Sequence, residues 1–370
     1  MTDAQADIPT PERRRRAMTA EEQCDVMAQH GVTFQKCSRE DAKRFLQDNT
    51  YFFKLKAFDN NFQHDANGMY RNLDFAYLQD LSTIDFELRV LILRMTGDIE
   101  HALRVRFNNL ISRVNEDGYQ VIRDYEQDQQ AFYTRDRKTY DPDEDYKKSI
   151  YTAGMINKYL GSKPIWLFWE TCTLNSLIHC YQSFLRHRQF QDTTYSLLYG
   201  VRLLRNAASH HNCLLIPPAE QVNPTKDLNV LLQQLLTDET ELVNTTLQLA
   251  QTDPLIHDFA CVLLAHANLV QSKGMRSHVV EQIKGFLTRM QRHADWYRNP
   301  ESGCDHLVQQ MDAIQLLLTS IVDFNQKRDE GMLTSTQQHI LEQPNRNPVR
   351  HGRRRASRRA RSGRNASSST

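Results

Sequence analysis

The chain of 370 residues is long enough for one large domain or two ordinary ones, and a hydrophobic content of 40% supports a buried core. Residues 343–370 contain nine arginines and neither a lysine nor an acid, so subtracting their +9 from the net charge of +1 leaves −8 for residues 1–342. This asymmetry favours an anionic partner, and the absence of a long apolar run excludes a secretory signal and a membrane span, so we expect a cytoplasmic protein without membrane contact.

The seven cysteines indicate a reducing environment. Their number is odd and no two of them form a Cys-x-x-Cys pair, which argues against a disulfide framework and against a zinc ribbon. Four histidines outside the segment discussed below lack the spacing of metal ligands, namely His179, His187, His257 and His266. The sequence therefore predicts neither a metal site nor a cofactor.

The beginning of the chain is predicted to be a disordered end followed by short helices. Residues 1–18 are polar and charged, which is typical of disorder. Thr19 and Ser38 are candidate N-caps for two helices within residues 19–50. The aromatic run 51–58 fits a strand or a buried helix segment equally well.

A long amphipathic helix follows. Apolar residues recur every three or four positions across residues 75–111, with Gly97 as the one weak point where the helix could kink. Residues 115–148 are strongly polar and are interpreted as an insertion. Helical patterns resume over residues 166–188 and from 193 to about 213.

The order of these elements predicts an all-α fold with a boundary in the proline-containing segment 217–224. The first domain would span residues 19–216. A second helical region would span residues 225–326. Residues 343–370 form a low-complexity, arginine- and serine-rich tail that is predicted to be disordered.

The segment from Arg205 to His211 concentrates polar side chains on an otherwise apolar helix. Histidine exchanges protons near neutral pH and arginine binds two phosphate oxygens at once, so Arg205 and His210 are a candidate pair for cleaving a phosphodiester bond without a metal. With the ribose 2′-OH as nucleophile, the substrate would be RNA and the products a 2′,3′-cyclic phosphate and a 5′-OH end. Taken alone, such a pair also arises by chance.

The spacing of these residues sets a geometric condition. Asn206 and His210 are four positions apart and share one helix face, whereas Arg205 and His210 are five apart and diverge on a straight helix. A joint site therefore requires the helix to end near His210, or a second copy of the chain to complete the pocket.

Several segments in chain order resemble one known family. Residues 205–215, RNAASHHNCLL, resemble the R-N-x-x-x-H-H signature of the Abi-like abortive-infection proteins, which belong to the HEPN superfamily of RNases. Residues 81–89 are similar to the family's acidic-x-x-LR helix, with Asp85 and Arg89 in matching places. Residues 99–104 resemble its I-E-x-x-x-R element, and residues 163–184 resemble its proline-tryptophan helix.

The resemblance implies a HEPN-type helical bundle, metal-independent endoribonuclease activity in phage defence, and a composite active site formed by a homodimer. It implies that Arg205 and His210 are the catalytic pair, with Asn206 beside them and His211 as a candidate assistant. RNA is the expected partner, together with an antitoxin protein or a regulatory RNA. The alternative is a HEPN-like module that binds RNA without cutting it, or a helical interaction protein.

Two pairs of opposite charge on the long helix have two interpretations each. Glu100 and Arg104 are four residues apart and either line the cleft and orient His210 or the phosphate, or form an intrahelical ion pair. Asp85 and Arg89 have the same spacing, and for them the ion pair is the favoured interpretation.

The tail arginines are predicted to contact RNA phosphates without reading sequence. The residues concerned are Arg353, Arg354, Arg355, Arg358 and Arg359. The alternative is a solvated end that only aids solubility.

Overall fold

A computed structural model describes residues 17–159 and 161–346, and over these ranges the all-α prediction is confirmed. The helices are α1 Ala20–Gln29, α2 Arg39–Asp48, α3 Phe52–Lys56, α4 Phe75–Arg113, α5 Gly118–Arg135, α6 Ala153–Lys158, α7 Ile165–Thr171, α8 Leu174–Arg188, α9 Leu198–Ser209, α10 Leu228–Leu235, α11 Glu241–Thr252, α12 Pro254–Leu269, α13 Lys273–Gln291, α14 Ala294–Tyr297, α15 Asp305–Glu330 and α16 Ser335–Gln338. In one small antiparallel sheet, β1 Phe190–Gln191 pairs with β2 Asn345–Arg346.

Some of the predictions fall on residues that the structure does not describe. These are the disorder expected for residues 1–16, the disorder expected for residues 347–370, and the RNA contacts expected for Arg353, Arg354, Arg355, Arg358 and Arg359.

The two helices predicted within residues 19–50 are α1 and α2. The Thr19 side chain accepts a hydrogen bond from the amide of Glu22 in a capping box, and the Ser38 side chain accepts one from the amide of Asp41. The aromatic run that fitted a strand or a helix folds as the short helix α3, followed by a 3₁₀ turn over Ala57–Asn61.

Helix α4 runs without interruption for 39 residues, so Gly97 does not break it. A Cβ added at Gly97 would meet no atom within 4 Å, which shows that this position faces open space. Asp74 caps the start of the helix, and its side chain accepts a hydrogen bond from the amide of Ala76.

The single helix predicted over residues 166–188 is wrong, because α7 and α8 are separate. Cys172 has an extended backbone with ψ of 159°, and the Thr173 side chain then caps α8 by accepting from the amide of Ser176.

Helix α12 lies at the centre of the fold. All of its residues from Leu255 to Leu269 are buried, and it packs against α4, α9, α11 and α15. A helix that is covered on every side belongs to a core, so the segment after residue 217 shares one hydrophobic core with α4 and α9. Over the described ranges, no helix combines the length and hydrophobicity needed to cross a membrane.

Candidate active site

The end of α9 carries the residues that sequence analysis singled out. The helix stops directly before His210, which meets the condition set by the spacing of Arg205 and His210. His211 follows with a left-handed backbone, at φ of 57°. The amide of Asn212 donates to the carbonyl of Ala207 at 3.0 Å and the amide of His211 to that of Ala208 at 3.1 Å, which is the hydrogen-bond pattern of a Schellman motif.

Left-handed backbone, as at His211, is uncommon for residues with a Cβ, although histidine adopts it more often than most. Glycine is the common residue at this position of a helix end, because a Cβ raises the energy of left-handed backbone by about 1–2 kcal/mol. Asn115, Arg137 and Gln189 also have a positive φ at the ends of α4, α5 and α8, so it is the side-chain contacts of His211 that distinguish this helix end.

A buried ion pair on α4 holds the His211 ring. The Arg89 Nη1 lies 3.0 Å from Nδ1 of His211, and Arg89 Nε donates to Asp85 Oδ2 at 2.9 Å. The other oxygen of Asp85 accepts from the amides of Leu214 at 2.6 Å and Leu215 at 3.1 Å. Asp85 is fully buried and the Arg89 side chain is 5% exposed. The ion pair favoured by the sequence is therefore confirmed, and it also reaches the candidate site.

Lys54 on α3 fixes the backbone of the same residue. Its Nζ donates to the carbonyl oxygen of His211 at 2.7 Å. Burial lowers the pKa of the Lys54 ammonium, and the positive charge of Arg89 lowers it further. Burial also raises the pKa of the neighbouring Cys213 thiol to about 11, so this thiol is not an activated nucleophile. Lys54 could not be identified from the sequence, because its partner is 157 positions away.

The charges at this end of α9 suit an anionic ligand. The carbonyl end of a helix is negatively polarised and disfavours a phosphate unless cations offset it. Lys54 supplies such a cation, whereas the charge of Arg89 is balanced by Asp85. Arg205 supplies a second: its Nη1 donates to Asn206 Oδ1 at 3.2 Å, and no carboxylate pairs with it among the residues described.

The candidate catalytic residues are neighbours, although they are not linked to one another. His210 and His211 are both exposed, whereas Arg205 and Asn206 are half-buried on the last turns of α9. Over the described chain, no hydrogen bond joins the side chains of Arg205 and His210. The structure thus brings the predicted residues to one helix end and adds Lys54, Asp85 and Arg89.

Comparison with known proteins gives one match. Residues 44–215 match the family model described as Abi-like protein. The similarity covers 172 residues, slightly less than half of the chain. No curated protein and no solved structure matches the chain. The family points to abortive infection, a form of phage defence, and every site residue from Lys54 to Leu215 lies within the matched range.

Glu100 and Arg104 form an ion pair within the Abi-like region, at 2.7 Å between Arg104 Nη2 and Glu100 Oε1. Glu100 lies eleven positions after Arg89 on α4, which corresponds to about 16 Å along the helix. Arg104 neighbours Cys172, where burial raises the thiol pKa to about 12 and the arginine charge opposes that rise. The assisting role of Glu100 and Arg104 therefore stays a prediction.

An exposed apolar stripe lies beside the site of the Abi-like region. The apolar stripe consists of Phe86, Val90 and Leu93 on α4 and Tyr199 and Leu203 on α9, all of them large and exposed. The α4 members recur at steps of four and three, and on α9 the sequence of steps continues to Asn206 and His210. The candidate catalytic face of α9 is thus continuous with a surface suited to a protein contact.

Proposed function

We propose that this protein is a metal-independent endoribonuclease that acts in abortive-infection phage defence. The observation that supports the proposal is the end of α9, where two exposed histidines and Arg205 stand beside a buried Asp85–Arg89 pair that contacts one imidazole. An ordinary helix end needs no buried ion pair behind it.

The reaction follows from the chemistry of these side chains. His210 removes the proton of the ribose 2′-OH while the 2′-oxygen forms a bond to phosphorus. The bond from phosphorus to the 5′-oxygen breaks, and that oxygen leaves with a proton taken from water. Arg205 binds the phosphate oxygens as negative charge increases on them. The products are a 2′,3′-cyclic phosphate and a 5′-OH end.

A homodimer is part of the proposal. The apolar stripe exposes five large side chains on the neighbouring helices α4 and α9, and a second copy of the chain would cover it. Because Asn206 and His210 continue the α9 part of the stripe, a two-fold contact there would bring two copies of the site together. Such a composite site would join Arg205 of one copy to His210 of the other.

Cleavage of RNA in the presence of EDTA tests the proposal. We expect the purified full chain to cut RNA and to leave 2′,3′-cyclic phosphate ends, and His210→Ala to lower the rate by about 10²- to 10⁴-fold, as for loss of a general acid or base. His278→Ala is the matched control, since His278 is an exposed histidine on α13 outside the Abi-like region.

Two outcomes would contradict the proposal in different ways. If the wild type binds RNA but leaves it intact, and His210→Ala binds equally well, the protein is an RNA-binding module without this activity. If EDTA abolishes cleavage, the metal-independent mechanism is wrong.

A further inference from the structure

We propose that His211 is a fixed hydrogen-bond donor to a phosphate oxygen and transfers no proton during the reaction, and that Arg89 and Asp85 are positioning residues that impose this role. The inference rests on the proposed function, because the phosphate is that of the RNA substrate. It assigns different tasks to two adjacent histidines, of which only His210 exchanges protons.

The contact between Arg89 and His211 decides the tautomer of the imidazole. A guanidinium has N–H donors and no acceptor atom, so a separation of 3.0 Å between Arg89 Nη1 and His211 Nδ1 requires a lone pair on Nδ1. A neutral imidazole with a free lone pair on Nδ1 carries its proton on Nε2. A proton on Nδ1 would instead point at the arginine N–H group, and the two hydrogens would repel each other.

The surroundings hold this arrangement in place. Asp85 accepts a hydrogen bond from Arg89, and its second oxygen accepts from the amides of Leu214 and Leu215, which follow the histidine in the chain. Lys54 holds the carbonyl of His211. His211 itself is exposed, and its Nε2 makes no contact in the part of the chain that the structure describes. The Nε2–H group is therefore a donor that is oriented in advance and points away from its anchors.

This tautomer restricts what His211 can do. To give up the Nε2 proton, the neutral ring would have to become an imidazolate, and Nε2 has no lone pair with which to accept a proton. The ring can still donate a hydrogen bond, and the guanidinium at Nδ1 polarises the ring and strengthens that bond. Donors fixed toward developing negative charge are an effective form of transition-state stabilisation.

His210 has the freedom that His211 lacks. Its backbone amide donates to the carbonyl of Asn206 at 2.9 Å, but its side chain has no hydrogen bond within the described ranges. Both ring nitrogens can therefore exchange protons with substrate. The proton transfers of the proposed reaction accordingly fall to His210.

Glutamine substitutions separate a donor from a proton carrier. In His211→Gln, the amide oxygen can accept from Arg89 and the amide nitrogen can donate outward, whereas no glutamine can shuttle a proton. We expect kcat of His211→Gln to stay within about tenfold of wild type, and kcat of His211→Ala to fall by about 10²- to 10³-fold, as for a lost oxyanion donor. His210→Gln should fall by about 10²- to 10⁴-fold. Equal losses for His211→Gln and His210→Gln would overturn the inference.

A spectroscopic measurement reports on the positioning residues without requiring activity. In protein labelled with ¹⁵N-histidine, the His211 signal is the one missing from His211→Gln, and we expect the chemical shifts of an Nε2–H tautomer. In Arg89→Met we expect a mixture of the two neutral tautomers of His211. Arg89→Lys keeps a donor, so the Nε2–H tautomer should remain. An Nδ1–H tautomer in the wild type would overturn the inference.

The two proposals fail in distinguishable ways. If the wild type cuts no RNA, the proposed function fails, and the tautomer still shows whether Arg89 orients His211. If the wild type cuts RNA and His211→Gln does not, only the role of His211 is wrong.

Discussion

At His211 the backbone conformation lowers stability, while the side chain has the role that we propose in catalysis. Its φ of 57° costs about 1–2 kcal/mol in any residue with a Cβ, while glycine adopts it freely but loses more entropy on folding. We therefore expect His211→Gly to leave the free energy of unfolding unchanged or to raise it by up to about 1 kcal/mol. The same change removes the imidazole, so RNA cleavage should fall as in His211→Ala. Urea unfolding and a cleavage assay measure the two effects.

Gln189 provides the matched control for this prediction. It ends α8 with the same φ of 57°, is exposed and lies outside the candidate site. Gln189→Gly should shift stability in the same direction and leave cleavage unchanged. A His211→Gly protein that is destabilised by several kcal/mol would show instead that His211 serves the fold.

Single residues could be predicted only where their partners are close in sequence. The four-residue spacing of Asp85 and Arg89 indicated an ion pair, and the structure confirms it. Its contact with His211 spans 122 positions, and the contact of Lys54 spans 157, so no local pattern reveals either. The residue types at the end of α9 were visible in the sequence, whereas the side chains that orient them were not.

At the scale of elements, the close approach of α9 to α12 positions the site. A Cβ added at Gly200 on α9 would lie 2.9 Å from Asp258 Oδ1 and 3.0 Å from Cys261 Sγ. Because both partners belong to the fully buried helix α12, they have little room to move. We expect Gly200→Ala to lower the free energy of unfolding by about 1–3 kcal/mol, the usual cost of overpacking. Chemical denaturation checks this value.

The control for Gly200 is a helical glycine with open space around it. Gly285 lies within α13, and a Cβ there would meet nothing within 4 Å. Gly285→Ala should therefore raise stability by about 0.5–1 kcal/mol through helix propensity alone. If Gly200→Ala were as stable as Gly285→Ala, the contact between α9 and α12 would be looser than the structure shows.

The boundaries of elements were harder to predict than their type. The helical pattern suggested that α9 continues to about residue 213, but the helix ends at Ser209, where tertiary contacts of His211 with Lys54 and Arg89 favour the left-handed turn. The pattern also merged α7 with α8, because a single polar N-cap at Thr173 is easily overlooked between apolar residues. Capping residues and distant contacts determine where such helices end, and the periodicity of apolar residues contains no information about either.

At the scale of the whole molecule, the sequence shows the composition of the core better than its connectivity. Residues 255–270 are one of the most apolar stretches of the chain, which is the expected signature of a buried helix. The contacts of α12 with α4 and α9 cross the boundary expected at residues 217–224 and follow no repeat. The division into regions 19–216 and 225–326 stays a prediction. Helices of both regions pack into one hydrophobic core.

The homodimer that we propose would use the apolar stripe as its contact surface. Val90 is a large exposed side chain in the middle of the α4 part of the stripe, so Val90→Glu should prevent dimerisation by placing a charge in an apolar contact. We expect a folded monomer that no longer cuts RNA, detected by sedimentation and by the cleavage assay. Val230→Glu is the control, because Val230 is exposed on α10, outside the Abi-like region, and its replacement should leave the dimer intact.

Mixing two inactive variants tests whether the two copies share a site. If Arg205 of one copy acts with His210 of the other, a dimer of Arg205→Ala with His210→Ala holds one intact site and one doubly altered site. Random exchange of subunits makes half of the dimers mixed, so the mixture should recover about a quarter of wild-type cleavage. No recovery, in a mixture shown by sedimentation to have exchanged subunits, would mean that each site takes both residues from one chain. Recovery in the mixture that Val90→Glu abolishes would connect the apolar stripe, the dimer and the catalytic end of α9 in one assembly.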